Sequence, residues 1–175
     1  MDGSYTSEQI IGFMRENWSE MYETDETNAL KDELFIYLGR VYNLGVSRTR
    51  DVLSEFNLCM GEFDILLTLR RSAKPHVLTP TELQKSMLIT SGGLTKLLHQ
   101  LEMRGLISRS VQPQDKRSKL VHLTAKGKKT AEKSLNRVQK KSRCWLDQAL
   151  TERESKQLKK LLSKAAAVLE QPNKQ

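Results

Sequence analysis

Gly105 marks the point where the chain changes its hydrophobic period, and few folds accommodate what stands on either side of it. Upstream, "TSGGLTKLLHQLEMRG" repeats apolar residues at helical spacing, with Leu94, Leu97, Leu98 and Leu101 on one stripe. Thr90 or Ser91 can cap that helix, and a glycine after it suits the left-handed residue that ends many helices. Downstream, "LISRSV" and "KLVHL" read as two short strands joined by the loop "QPQDKRS", where Pro113 favours a turn and cannot donate to a ladder. Just ahead stands "TPTELQKSM", with Thr79 as N-cap, Pro80 at the first helical position and Glu82 as the capping-box partner. Two short helices separated by a tight turn, then a hairpin, describe a winged helix-turn-helix.

Helices flank this unit on both sides. "SEQIIGFMRENWSEMY", capped by Thr6 or Ser7, carries Ile10, Phe13 and Met14 at helical spacing, and "ETDETN" interrupts it. The next segment predicts a helix over Ala29–Phe56, about 42 Å long at 1.5 Å per residue. Its stripe is Leu30, Leu34, Leu38, Val41 and Tyr42. "MGEFDILLTLRRS" adds a shorter helix with Phe63, Ile65, Leu66 and Leu69 as core residues, and "AKPHVL" reads as a turn. Thr124 should cap a long basic helix running to about Leu150. Thr151 and Glu154 form a capping box for a last helix striped by Leu158, Leu161, Leu162, Ala165 and Leu169. The expected fold is mainly α with a small β-hairpin.

Charge narrows the function. The 175-residue chain carries a formal net charge of +8, so it should attract polyanions. Residues 1–35 hold nine acidic and two basic side chains, whereas residues 112–143 hold eleven basic and two acidic. Such segregation points to one positive working surface, although a lysine-rich solvated helix face would look similar. The start of the long second-motif helix offers Ser91, Gly92, Gly93, Thr95 and Lys96, with Gln100 further along the same face. Small residues there let a helix enter a major groove of about 12 Å and bring its first turn to base edges. Thr79, Thr81 and Thr90, at the starts of the two helices, join the expected DNA contacts. At the hairpin tip Lys116, Arg117 and Lys119 can reach the adjacent minor groove, where arginine is favoured. Asp115 among these cations is expected to pair with an arginine and hold the loop's shape.

Other chemistries find little support. His76, His99 and His122 share no metal-ligand spacing, and no phosphate loop or nucleophile motif occurs, so neither a metal, a cofactor nor an enzyme is expected. Cys59 and Cys144 form no disulfide framework, and their apolar sequence neighbourhoods predict inert packing residues. The acidic N-terminus lacks a signal-peptide pattern and no apolar run approaches about 18 residues, so a cytoplasmic protein without membrane association is expected. Charge alone leaves a second reading open, a winged-helix module whose basic face docks an acidic protein.

"DKRSKLVHLTAKG" resembles the wing signature of the MarR family of bacterial transcription regulators, on Asp115, Arg117, Leu123, Thr124 and Gly127. "LTPTEL", "SGGLTKLLHQLEMRGLISR" and the flanking helices match that family's layout, over roughly residues 30–169. The resemblance implies a single MarR-like domain over 1–175. In it, 1–56 and 124–170 would form the dimerisation region and 57–123 the DNA-binding winged helix-turn-helix. It implies a homodimer on pseudo-palindromic double-stranded operators, usually a repressor, released by a small aromatic or anionic ligand. The N-terminal helix and "EFDILLTLRRSAKPHVLTPTEL" look like the urate-responsive branch, whose ligand contacts would fall on Trp18, Asp64 and Arg109. The chain departs from that branch at Leu97, where an arginine would stand, and this removes a partner for an anionic ligand.

Overall fold

A computed structural model describes residues 5–17, 26–87, 91–112 and 115–171, with side chains described for all of these except 26, 27, 91, 112 and 115–118. The chain forms two compact units, Met1–Glu55 and Phe56–Gln175.

The first unit holds α1 (Ser7–Asn17) and α2 (Glu26–Ser54). The expected extension of α1 to Tyr22 falls on residues 18–25, which lie outside the described residues. Here α1 lies against α2: Arg15 Nε donates to Glu33 at 3.0 Å, Arg40 donates to the Tyr5 carbonyl at 2.5 Å, and the Tyr5 and Phe13 rings meet edge-on. Glu26 starts α2 three residues earlier than expected. The apolar stripe of α2 stays exposed, from Leu30, Leu34 and Leu38 to Val41 and Leu44, with Phe35 at 80%.

The second unit is built around α3 (Met60–Arg71), whose Phe63, Ile65, Leu66 and Leu69 are all buried, as their spacing predicts. Leu83 of α4 (Pro80–Lys85) and Leu94, Leu98 and Leu101 of α5 (Ser91–Met103) close over the same core. Arg70 Nε donates to Glu132 at 2.8 Å and ties α3 to α6 (Ala125–Ala149). The capping box read from sequence forms at α4: Glu82 N–H donates to Thr79 Oγ1 at 3.2 Å, and Thr79 N–H donates back to Glu82 Oε2 at 2.7 Å. A second box joins Thr151 and Glu154 at the start of α7 (Glu152–Leu169). No residue of α7 is buried, and its leucine stripe faces outward.

The β structure corrects two expectations. The wing is a three-stranded antiparallel sheet in the order β1-β3-β2, not a lone hairpin. β1 is Val77–Leu78, inside the segment expected to be only a turn; it pairs with β3 through Val77↔His122 and Leu78↔Val121. β3 would otherwise present an unpaired edge, and two β-prone residues suffice to cover it. The hairpin is also longer than expected. β2 runs Ile107–Gln112 and β3 runs Asp115–Leu123, so Asp115, Lys116 and Arg117 belong to a strand and not to the loop. A register shift between Val111 and Gln112 lets the ladder resume at Gln112↔Asp115.

Two junctions hold the wing to its helices. At Gly105, φ is 65°, Gly105 N–H donates to the Glu102 carbonyl at 2.8 Å and Leu106 N–H to Leu101 at 2.9 Å, which is a Schellman ending. At Thr124, the hydroxyl accepts from Gly127 N–H at 2.9 Å and donates toward the Gly105 and Leu106 carbonyls at 2.9 and 3.0 Å. The expectation of packed cysteines fails, because Cys59 and Cys144 are both exposed. Cys59 sits where the chain enters α3, with its N–H given to Glu62, and Cys144 lies on the outward face of α6. No helix among the described residues is long and apolar enough to cross a membrane.

Among the described residues three carboxyls lie below the ordinary range: Glu82 through hydrogen bonds from Thr79, Glu102 through its bond from Arg109, and Glu154 through its bond from Thr151. Groups with depressed folded values stabilise the fold fully above the unfolded value near about 4.3 and lose that contribution as pH falls through the folded value. Thermal melts should therefore show a falling Tm below about pH 4.5. A Tm that stays flat down to pH 3 would contradict these assignments.

Candidate nucleic-acid interface

The leucine stripe decides which way α5 faces. Leu94, Leu98 and Leu101 point into the core, so Gly92, Thr95, Lys96, His99 and Gln100 are left exposed on the opposite side. Gly93 is half-buried, and a Cβ at Gly92 would meet nothing within 4 Å, so that position is open to an approaching partner. Leu97 turns toward α3: a methyl built on Gly61 would come within 2.6 Å of its Cδ1. That packing role explains why an apolar residue stands at this position.

Around this face the expected contacts fall as follows. Thr81 is exposed on α4, while the Thr79 hydroxyl donates to Glu82 Oε2 at 2.8 Å and is committed to the cap. Thr90 lies outside the described residues, and Ser91 opens α5 with its side chain undescribed. Lys119 is exposed on β3; the side chains of Asp115, Lys116 and Arg117, and so the expected pairing of Asp115, lie outside the described set. Ser110 Oγ and His122 Nε2 meet at 2.7 Å across the two wing strands. Among the described residues no cluster of histidine, cysteine and carboxylate groups could hold a metal.

The residues expected to hold a ligand are placed differently from one another. Trp18 lies outside the described residues. Asp64 is an exposed residue of α3; partial desolvation pushes its carboxyl up, and Arg71 works against that shift. Arg109 ties the wing to α5: its Nε donates to Glu102 Oε2 at 2.7 Å, with a second short contact from Nη2 to the same oxygen. Sequence reasoning overlooked Glu102. The pair stands seven positions apart across a turn, on elements of different period.

Arg104 is a second such anchor. It donates to the Asn57 carbonyl and lies 2.9 Å from the buried Glu62, while Lys126 Nζ donates to the Arg104 carbonyl at 2.8 Å. These contacts fasten the end of α5 to the starts of α3 and α6.

An outward-facing polar helix, preceded by a short capped helix and backed by a three-stranded wing, defines a winged helix-turn-helix protein. Residues 58–119 match the MarR family, and the chain belongs to that family. An uncharacterised helix-turn-helix transcriptional regulator of Bacillus cereus (strain ATCC 10987) is 31% identical over 137 residues, covering 78% of this chain and 89% of the relative. The apo structure of MarR from Escherichia coli superposes with a TM-score of 0.66 at 29% identity, over 74% of this chain and 93% of that one. The MepR–DNA complex of S. aureus gives 0.65 at 27% identity, over 75% and 96%. The chain is a DNA-binding transcription regulator of this family.

Proposed function

We propose that the chain is a repressor that binds pseudo-palindromic double-stranded operators as a homodimer, with α5 in the major groove and the wing on the neighbouring minor groove. One observation carries this reading: Gly92, Thr95, Lys96 and Gln100 are exposed on one face of α5, and Lys119 is exposed on β3 of the wing. The S. aureus relative solved as a complex with DNA supports DNA as the partner. A second copy is the occupant proposed for the exposed stripes of α2 and α7, since contiguous apolar faces of this extent mark protein contacts. A small aromatic or anionic effector is proposed to release the duplex, with Trp18, Asp64 and Arg109 as its contacts.

Selection of genomic fragments by the purified chain tests the reading, and should return inverted half-sites about 10 base pairs apart. Affinity for the selected duplex should fall steeply with salt, because each neutralised phosphate releases counterions. Lys96→Ala and Arg117→Ala should each weaken binding and flatten that slope while leaving Tm nearly unchanged. Binding to no fragment in preference to competitor DNA would favour an acidic protein as the partner. Aromatic carboxylates added to the complex should release the duplex; persistence of the complex at millimolar ligand would remove the effector from the proposal.

A further inference from the structure

Glu102 occupies the last turn of α5 and Arg109 the third position of β2, on either side of the Gly105 turn. Strand alternation puts Ile107, Arg109 and Val111 on one face of β2, opposite Leu123, Val121 and Lys119 of β3. Ile107 and Val121 on that face are buried, so it is the side of the wing turned toward the helices. A groove of about 310 Å³ opens there, lined by Glu102, Arg109, Ser110, Val111 and Lys119. Within it Arg109 Nε bonds Glu102 Oε2 at 2.7 Å, the two side chains being 23% and 34% exposed. That bond is also what holds the Glu102 carboxyl below the usual carboxylate range. The pair is partly withdrawn from solvent, which distinguishes it from a loose surface ion pair.

We propose that Glu102 and Arg109 are positioning residues for DNA docking, fixing the angle at which the wing leaves the recognition helix. The inference rests on the docking reading above and adds to it the device that sets its geometry. Beyond Arg109 the β2 strand runs to Gln112 and carries its end about 10 Å further at roughly 3.3 Å per residue. A swing of about 10° at the base then moves the tip by about 2 Å, enough to break a hydrogen bond to phosphate. The planar guanidinium resists such a swing because two of its N–H groups address one carboxylate oxygen. A lysine at the same place offers a single point charge that tolerates it. Neither residue needs to touch DNA to exert this control. Phosphate contacts made by the wing fix the register of the whole protein on the duplex.

The test compares the full chain with Glu102→Gln, Arg109→Lys and the exchange Glu102→Arg/Arg109→Glu on one selected duplex, by hydroxyl-radical footprinting, affinity and thermal melting. The single variants should keep the protection where α5 docks, lose the flanking minor-groove protection, and bind on the order of tenfold more weakly. Their Tm should stay close to that of the wild type, and the charge exchange should restore the flanking footprint. An unchanged footprint in both single variants would overturn the proposal and leave the docking reading standing. So would an affinity loss that merely tracks a fall in Tm, or a well-folded exchange variant that restores nothing. A wild-type chain that protects no duplex at all would overturn the docking reading itself, and the proposal with it.

Discussion

Gly127→Ala is expected to destabilise the winged-helix unit by about 3 kcal/mol or more, the upper end of what overpacking costs. For a chain of this length that corresponds to a fall in Tm of roughly 6–12 °C. The reason is local and severe. A Cβ at Gly127 would stand 1.9 Å from the Leu106 carbonyl oxygen and 2.9 Å from Leu123 Cδ1. The Leu106 carbonyl is backbone immediately ahead of β2, so no side-chain rotation relieves the clash. That carbonyl also accepts from Thr124 N–H at 3.2 Å and from the Thr124 hydroxyl at 3.0 Å. The first turn of α6 would have to lift away from the wing base, and these bonds would break with it. DNA affinity should fall further than stability alone requires, because the wing loses its anchor. Lys128→Ala, one residue on and exposed, serves as the control and should change stability by no more than about 0.5 kcal/mol. A Gly127→Ala chain melting within about 2 °C of the wild type would show that the junction yields easily, and the packing argument would fail.

That glycine also illustrates what could be read in advance. Local rules carry over well: the boxes at Thr79 and Thr151, the left-handed Gly105 and the leucine stripe of α5 each depend on residues within a few positions of one another. The same holds for the Thr124 cap, whose partner Gly127 is three residues away. Gly127 itself was legible only as part of a signature, since the reason for it is a carbonyl twenty-one positions upstream. Contacts between distant segments escaped for the same cause. Val77 and Leu78 look like a turn until β3 provides an edge for them to pair with. Glu102 and Arg109 lie on elements with different periods, so neither a helical nor an alternating pattern connects them. Cys59 and Cys144 were misjudged because apolar sequence neighbours do not say which side of the chain a thiol takes. The apolar stripes of α2 and α7 were visible from their helical spacing.

Those stripes carry the other large expected effect. Leu34→Glu together with Leu38→Glu in α2 should convert a dimer into monomers. The two positions lie four residues apart on the face that also bears Leu30, Val41 and Leu44, so both carboxylates would enter the same apolar contact. A charge held in an apolar interface without a partner is strongly unfavourable, whereas both carboxylates are well solvated in a separated chain. In the proposed homodimer, two winged-helix units would engage the second half-site as an intramolecular event, and such linkage raises overall affinity by roughly 10²–10⁴. Binding to a complete operator should therefore weaken by roughly 10²–10⁴ in the double variant, while binding to an isolated half-site changes little. Sedimentation equilibrium reports the mass, and gel shifts on whole and half operators report the two affinities. Retained half-site binding shows that the Phe56–Gln175 unit is still folded, which separates loss of pairing from loss of structure. A double variant that still sediments as a dimer would mean that the α2 face is not where the copies meet, and the exposed stripe of α7 would then have to supply the contact alone.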